Sequence, residues 1–484
     1  MWMSLLLSCA TTTRWGIAEP GPYSPSFLRA EGDLALLARV ETCGACHAEQ
    51  AEQWRGSAHA HASFDNPWYR HAVEDLREGV GLAESKHCAG CHDPVLLLAG
   101  KMDGPVLPTD PGAAVGVPCL GCHGVVSATS DGNASVLLDL DLEVPTDAST
   151  DADIARHKAR MLQPALTSGA ACGACHRGFL GPETGNDWFA IGMDDAGAWR
   201  GSTWGGSDAG LLAPEVPRRA TCVDCHLDDH RATGAHTPMV PEAAERVRGA
   251  ASVWVGAVWV DGRSQAPEEA TPAEGSTIAV DVVVRNTGTG HRFPGGTLDA
   301  QDTWVALEVS GPDGVIASVD EERGPRLRAR VMDAEGVPVE THQTRRMVAV
   351  AGDHTVPPGD ARAFRFELTL DGPGPYTVSA TLRHRRHPAA LQEAACAATT
   401  EGTLDGCVPE PVTEVDADRV VLGEGTPSGE RAWTHALALS HDVQERLDDA
   451  RPSAERALAL ATTDREAAAA GWVHALIAGR QGRL

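Results

Sequence analysis

The stretch Cys43-Gly44-Ala45-Cys46-His47 is the first of five Cys-x-x-Cys-His motifs, all between residues 43 and 226. In each motif, two thiols can bond to haem vinyl groups and the next imidazole can bind the iron, which is the attachment signature of c-type haem. The sequence therefore predicts five covalently bound haem c groups. The motif residues are Cys43, Cys46 and His47; Cys88, Cys91 and His92; Cys119, Cys122 and His123; Cys172, Cys175 and His176; and Cys222, Cys225 and His226.

Zinc is the alternative for paired Cys-x-x-Cys motifs, because four thiolates can build a tetrahedral site. Two pairs of motifs would make two zinc sites and leave the fifth motif over. Zinc also gives no reason for a histidine directly after every second cysteine. The pattern therefore favours haem.

Three of the thirteen cysteines lie outside the motifs. Cys396 and Cys407 are eleven positions apart, which predicts a disulfide that needs an oxidising compartment. The alternative is two unpaired, buried thiols. The third, Cys9, ends the segment Leu6-Leu7-Ser8-Cys9, which resembles a bacterial lipobox. Leu7 stands where a small residue is usual and no basic residue precedes it, so a stray cysteine in a leader is the alternative.

The formal net charge of −27 bears on partners rather than on fold. It argues against binding to nucleic acid or to an anionic membrane surface, because both are polyanions. It favours partners with positively charged docking patches. No apolar stretch reaches the ~20 residues that a membrane-spanning helix needs. We therefore predict a periplasmic or cell-surface protein whose membrane contact, if any, is a lipid anchor at Cys9.

The predicted fold class is multidomain α+β. A leader or tether, which would contain the lipoprotein signal, occupies residues 1–35. A mainly helical pentahaem domain follows at residues 36–248, where Gly and Pro clusters interrupt short helices and haem supplies apolar mass for the core. We expect a β-sandwich at 249–425 and a helical tail at 426–484.

Period-two alternation and turn signals carry the sandwich prediction. An example is Val280-Asp281-Val282-Val283-Val284. A further strand is expected near Arg419–Leu422. The main strand predictions are Val253–Val260, Thr277–Arg285, Thr303–Val309, Met347–Ala351, Ala363–Leu370 and Tyr376–Leu382.

The C-terminal segment is rich in Ala, Leu, Glu and Arg, and Ala432, His435, Ala436 and Leu439 fit one helical face. We expect two or three helices. A plain helical cap is favoured over the start of a tetratricopeptide-type array, because no full repeat is visible.

The sixth iron positions decide between electron transfer and catalysis, since an open position can bind a substrate. Eight further histidines in or beside the motif region could fill these positions. Methionine ligation would raise the reduction potential, and Met102, Met161, Met193 and Met239 are available, although methionine there is more often packing. The eight histidines are His59, His61, His71, His87, His157, His230, His236 and His291.

Two segments, 42–64 and 116–124, resemble the multihaem cytochrome c family, which includes the tetrahaem electron carrier of nitrifying bacteria and hydroxylamine oxidoreductase. In that family, Ser-x-His after a Trp commonly carries a distal ligand. The resemblance thus implies a ligand at His59, with His61 as the near alternative, and further ligands at His157 and His236.

The segment Gly290-His291-Arg292-Phe293-Pro294 resembles a loop in multihaem cytochromes that append a β-sandwich. There the histidine reaches back to a haem, which implies that His291 is a distal ligand. His71, His87 and His230 compete for the remaining place. The other histidines are expected at the surface: His342, His354, His384, His387, His435, His441 and His474.

We predict a pentahaem c-type cytochrome that carries electrons between redox partners outside the cytoplasm, other multihaem cytochromes among them. The alternative is a multihaem oxidoreductase acting on small nitrogen or sulfur oxyanions at one open haem. The chain lacks a Cys-x-x-Cys-Lys motif, and Tyr69 is the only tyrosine between the first and last motif. A third hypothesis, compatible with the first, makes the sandwich and tail a docking component.

Overall fold

The computed structural model describes residues 23–207, 219–227, 247–441 and 446–483. The described chain is α+β, with short helices in its N-terminal part and antiparallel sheets in its C-terminal part. The predictions made for residues 1–22, including Cys9, and for His230, His236 and Met239 lie outside these residues. None of the described helices is both long enough and apolar enough to cross a membrane.

The N-terminal part consists mainly of short helices, in keeping with its many Gly and Pro residues. The longest is capped by Asn66, whose side chain accepts hydrogen bonds from the backbone N–H groups of Trp68 and Tyr69, and Pro67 occupies its first position. The described helices of this part are α1 (Leu34–Leu37), α2 (Val40–Gly44), α3 (Ala48–Arg55), α4 (Pro67–Gly79), α5 (Lys86–His92), α6 (Pro94–Leu98), α7 (Cys119–His123), α8 (Asp151–Met161), α9 (Pro164–Thr167), α10 (Ala170–Cys175), α11 (Asp195–Arg200) and α12 (Cys222–His226).

Two small sheets accompany these helices. In the first, β1 (Arg29–Glu31) pairs in parallel with β3 (Val136–Asp139), which pairs antiparallel with β2 (Val125–Ala128). In the second, β4 (Arg177–Leu180) and β5 (Ala190–Asp194) form an antiparallel pair.

Two four-stranded antiparallel sheets dominate the C-terminal part. Their strands run in the orders β13-β8-β6-β7 and β10-β9-β14-β15, and β11 pairs with β12 separately. The strands are β6 (Ser252–Val260), β7 (Arg263–Gln265), β8 (Thr277–Arg285), β9 (Asp302–Gly311), β10 (Gly314–Val319), β11 (Ala329–Met332), β12 (Ala349–Asp353), β13 (Ala361–Thr369), β14 (Thr377–Arg385) and β15 (Thr413–Val421).

One hydrophobic core lies between the two larger sheets. Val255 and Val282 from the first sheet share a buried cluster with Val305 and Val378 from the second. These four side chains, one from each of β6, β8, β9 and β14, are fully buried.

The predicted strand segments are strands, with ends shifted by up to three residues and a β15 that begins six residues before the predicted Arg419. In the C-terminal part, three strands were not predicted: β7, β10 and β11. They are short, and β10 is a largely exposed edge strand. Hydrogen bonds to the neighbouring strand hold such a strand in place without alternating apolar and polar residues. Its sequence therefore gives little indication that it is a strand.

α14 (Gly429–Ser440) covers the outer face of the β13-β8-β6-β7 sheet, and α15 (Leu447–Leu460) and α16 (Asp464–Arg480) pack on α14. They follow α13 (Ala389–Ala398), which packs on α4. Ala432, Trp433 and Ala436 share a buried cluster with Val283 of the sheet. The helices therefore cap this sheet.

Three of the histidines expected at the surface are buried, so that prediction is wrong for them. His384 and His387 are each 8 % exposed, and His435 is fully buried. His384 occupies an inward position of the alternating strand β14, and His435 lies on the apolar face of α14. Both positions could have been read from the same periodicities that predicted the elements.

The predicted disulfide between Cys396 and Cys407 is present and ties the end of α13 to the following loop. Replacing both cysteines by serine is expected to lower the free energy of unfolding by about 3 kcal/mol, because the open chain gains conformational entropy in the unfolded state. Denaturant titration followed by circular dichroism measures this loss. Wild-type protein treated with a reductant is the matched control and should unfold at the same denaturant concentration as the double variant. Equal midpoints for the variant and oxidised wild type would contradict the prediction.

Candidate haem sites

The motif helices place both cysteines of a motif on one side. In α5, α7, α10 and α12, the two cysteines are three positions apart within one helix. Residues i and i+3 share a helix face, so the two thiols can reach the same haem edge. In the first motif, α2 ends at Gly44, and Cys46 follows in the turn. No group of three or more His, Cys, Asp or Glu side chains able to hold a metal ion occurs in the described part of the chain.

Three motif histidines face a second histidine from elsewhere in the chain. The ring centres of His47 and His157 are 6.3 Å apart, with planes 11° apart. Those of His176 and His59 are also 6.3 Å apart, and the angle between their planes is 74°. In each pair, a predicted proximal ligand meets a predicted distal ligand.

The third pair joins the two parts of the chain. His226 of the last motif and His291, in the loop between β8 and β9, have ring centres 6.0 Å apart. The loop therefore reaches back to the motif region, as the resemblance implied for His291.

These separations fit an iron between two imidazoles. Each iron–nitrogen bond is about 2 Å long and each ring centre lies roughly 1 Å beyond its nitrogen, so a ligated pair has ring centres roughly 6 Å apart. Ordinary aromatic contacts cover the same range. The separation argues for ligation together with the identity of the residues. In all three pairs, one histidine was predicted as a proximal ligand and the other as a distal ligand.

Hydrogen bonds fix the ring orientation of several candidate ligands. Nδ1 of His92 lies 2.9 Å from the Ala62 carbonyl oxygen. Nδ1 of His123 lies 2.8 Å from the Met161 carbonyl oxygen. A ring that donates its Nδ1–H to a carbonyl presents Nε2 as a lone-pair donor, which is the usual arrangement of metal-binding histidines. The residues present thus fit covalently attached haem, whose iron supplies one-electron chemistry when bound.

His59 is held by contacts to the third motif. Its carbonyl oxygen accepts a hydrogen bond of 2.9 Å from the backbone N–H of Val117, and the Trp54 indole N–H donates to the Val117 carbonyl at 2.8 Å. Gly116 has a φ of +58°, and a Cβ there would lie 2.2 Å from the His59 carbonyl oxygen. Only glycine permits this close approach.

The imidazole of His59 is neutral at pH 7. Burial first, and then charges on His176 and His92, lower its pKa to about 4. Burial and then His47 likewise lower the pKa of His157. A neutral imidazole is the form that binds metal.

The loop that carries His291 is also tightly held. Asn286 donates its side-chain N–H to the His291 carbonyl oxygen at 2.7 Å, and the backbone N–H of Gly296 donates to Asp195 of α11 at 2.9 Å. A Cβ at Gly295 would lie 2.7 Å from the His291 ring. This glycine therefore allows the loop to fold beneath the imidazole.

The remaining candidates take other positions. His61 places Nδ1 2.7 Å from Asp65, and this hydrogen bond is the main reason that its pKa is raised. His71 places Nε2 3.1 Å from the Thr341 carbonyl oxygen, so that nitrogen is not directed at an iron. His87 lies in α5, directly before Cys88. Met102 is fully buried, with its sulfur 3.4 Å from an Arg77 guanidinium nitrogen.

Sequence reasoning did not single out the surroundings of His92. The Tyr69 ring stacks on the His92 ring with centres 4.4 Å apart, and its hydroxyl donates to Asp93. Ser63 also donates to Asp93. Burial raises the pKa of Asp93 to about 7, although these two hydrogen bonds lower it. The signal available was Tyr69 itself, the only tyrosine in the motif region.

Thiols of different motifs are in contact, and they mark where thioether sulfurs would lie. The Cys43 thiol is hydrogen-bonded to Cys119, which joins the first motif to the third. The Cys91 sulfur lies 4.0 Å from the Cys175 carbonyl oxygen, which joins the second to the fourth.

Two further contacts complete the series. The Cys172 thiol is hydrogen-bonded to Cys222, which joins the fourth motif to the fifth. Burial and then Cys175 raise the pKa of Cys122 to about 11, which puts the third motif beside the fourth. Haem groups attached at neighbouring sulfurs would be neighbours, so these contacts link the five motifs in one connected series.

Residues 42–124 match the family model described as cytochrome c554 and c-prime. This range contains the first three motifs. The structure is similar to the crystal structure of a penta-heme cytochrome c552 from Thermochromatium tepidum, with a TM-score of 0.52 and 18 % sequence identity. The alignment covers 80 % of this chain and 99 % of that one, and at this identity it shows a shared fold. The comparison with curated proteins found no match.

Proposed function

We propose that this chain, whose family match and fold support a multihaem c-type cytochrome, carries electrons through five covalently bound haem c groups between redox partners outside the cytoplasm. The observation that carries the proposal is the set of three histidine pairs with ring centres 6.0 to 6.3 Å apart. An iron held by two imidazoles has no open position for a substrate and is suited to electron transfer. The thiol contacts between motifs support a continuous route.

One observation favours a second candidate, an oxidoreductase acting on small nitrogen or sulfur oxyanions. The ring neighbour of His92 is Tyr69, whereas His47, His176 and His226 each face an imidazole. If one iron has an open sixth position, the second motif is where we expect it.

The compartment and partners are part of the proposal. The disulfide and the covalent haem attachment support a location outside the cytoplasm, because both need an oxidising or exported setting. The net charge of −27 supports redox partners with positively charged docking patches, other multihaem cytochromes among them. A lipid at Cys9 would hold the protein at a membrane.

Haem counting and spin state test the proposal. We expect five haems per chain by pyridine haemochrome, and electron paramagnetic resonance signals of the oxidised protein that are low-spin, because two imidazoles bind each iron. A Cys222→Ala/Cys225→Ala double variant is the matched control and should lose covalent attachment of one haem. A large high-spin signal that shifts with added nitrite or hydroxylamine would instead favour the oxidoreductase. Absence of covalent haem would overturn both candidates.

A further inference from the structure

His342 is a partly buried histidine that the sequence did not connect with the motifs. It lies in the loop between β11 and β12, and its side chain is 22 % exposed. Its φ is +54°, a conformation that a residue with a side chain rarely adopts. Such strain persists where surrounding contacts enforce it, and it often marks a functional position.

The loop around His342 is fixed along α4. The Thr341 carbonyl oxygen contacts Nε2 of His71 at 3.1 Å, and Gln343 donates to Asp75 at 3.2 Å. Arg345 binds the same carboxylate through two nitrogens, each at 3.0 Å. The loop therefore follows the helix whose Tyr69 ring stacks on His92.

Asp299 fixes the orientation of the His342 ring. Nδ1 of His342 lies 3.0 Å from both carboxylate oxygens, and Asp299 itself is 7 % exposed. Nδ1 donates its proton to Asp299, while Nε2 makes no hydrogen bond within the described residues. A histidine oriented by a carboxylate in this way is the usual outer arrangement of a metal ligand. Asp299 belongs to the same β8–β9 loop as His291, so one loop would orient two ligands.

The other candidate ligands near the second motif are committed elsewhere. His59, His157 and His291 face His176, His47 and His226. His61 also binds a carboxylate, but the next residue, Ala62, accepts the hydrogen bond from Nδ1 of His92. Since Nδ1 points away from the iron, residues 61 and 62 lie behind the proximal ring.

We propose that His342 is the distal axial ligand of the iron bound by His92, an assignment that rests on the proposed attachment of haem to Cys88 and Cys91. The strand-connecting loops of the C-terminal part then complete two iron sites, through His291 and His342. In support, Thr341, the residue before His342, contacts His71 of α4, and His71 lies two residues from Tyr69, whose ring stacks on His92.

The test compares spin states of holoprotein variants. In His342→Ala, we expect one haem in five to change from low-spin to high-spin, and added imidazole to restore the low-spin signal. His441→Ala is the matched control, because it also removes a histidine bound to a carboxylate, and it should leave all signals unchanged. A low-spin spectrum in His342→Ala identical to wild type would overturn the assignment, as would a high-spin haem in wild type that His342→Ala does not alter.

A second variant guards against loss of folding. His342→Met should keep all haems low-spin and raise the reduction potential of one haem, because methionine ligation raises the potential. Unchanged potentials in this variant would also overturn the assignment. Haem counting separates the two proposals: fewer than five covalent haems in wild type contradicts the proposed function, whereas five haems with no response to His342 contradicts only this ligand.

Discussion

Replacing His59 by alanine is expected to convert one haem in five from low-spin to high-spin without loss of haem. The ring centres of His59 and His176 are 6.3 Å apart, which leaves room for one iron between them. Removing the distal imidazole leaves that iron with five ligands, and the weaker field changes its spin state. The haem stays in place because Cys172 and Cys175 hold it covalently.

The measurement is low-temperature electron paramagnetic resonance of the oxidised holoprotein, with haem counted in the same sample. His441→Ala is a suitable control, because it removes a partly buried histidine whose Nδ1 lies 2.7 Å from the Asp360 carboxylate. It lies beside the C-terminal helices and should leave all haems low-spin. A His59→Ala spectrum equal to the control would contradict the pairing.

Gly116 provides an independent check of the same site. A methyl group at Gly116 would collide with the His59 carbonyl oxygen, and the backbone there has a positive φ. Gly116→Ala is therefore expected to displace His59 and give part of the same high-spin signal. Added imidazole is expected to restore the low-spin signal in both His59→Ala and Gly116→Ala.

Replacing Asp281 by alanine is expected to lower the free energy of unfolding by about 3–5 kcal/mol, the range found when one partner of a buried ion pair is removed. Asp281 is fully buried in β8. It accepts hydrogen bonds from Arg365 at 2.7 and 2.8 Å and contacts Nε2 of the fully buried His435 at 2.9 Å. Without the carboxylate, Arg365 and His435 would lose these hydrogen bonds inside the contact between α14 and the sheet.

Denaturant titration followed by far-ultraviolet circular dichroism measures this effect. Asp320→Ala is the control, because Asp320 pairs with Arg383 at an exposed site and such pairs contribute only about 0–1 kcal/mol. Equal losses in the two variants would show that the buried network does not stabilise the cap. The loss of unfolding free energy in Asp281→Asn is expected to lie between those of Asp281→Ala and Asp320→Ala, since asparagine retains the shape of the side chain but not its charge.

The hydrogen bonds of Asp281 with Arg365 and His435 also make the folding stability depend on pH in the acidic range. Burial alone would raise the pKa of Asp281, but hydrogen bonds from Arg365 and His435 outweigh it and hold the pKa below its ordinary value. A lowered folded-state pKa means that the stabilisation is present above the unfolded pKa of about 4 and is lost as the pH falls further. Asp281→Asn should lack this part of the acid dependence.

The sequence was sufficient to predict features that depend on residues close together along the chain. The five motifs carry their thiols and proximal imidazole within five residues, so no tertiary information is needed to recognise them. Strands such as β8 and β13 were predicted closely because short apolar runs with partial alternation, bounded by turn residues, are a local feature of the sequence. The Cys396–Cys407 bond was also predictable, since the two residues are close in sequence.

Long-range contacts were only partly predictable. Sequence resemblance suggested His157 and His291 as ligands, but not which motif each would face. His342 gave no signal, because a single histidine in a loop has no periodicity and no motif. His384 and His435 were misplaced at the surface because a polar residue was given more weight than its position on an apolar face.

The sequence by itself determined the number of motifs, their proximal imidazoles and the alternation that forms the sheets, since each depends on residues that are neighbours along the chain. The tertiary structure alone decided that His47 faces His157, that His176 faces His59, and that a loop between strands brings His291 to the last motif. The physical reason is distance along the chain. Pairing residues tens to more than a hundred positions apart depends on how helices, sheets and loops pack together, and that packing is a property of the whole core.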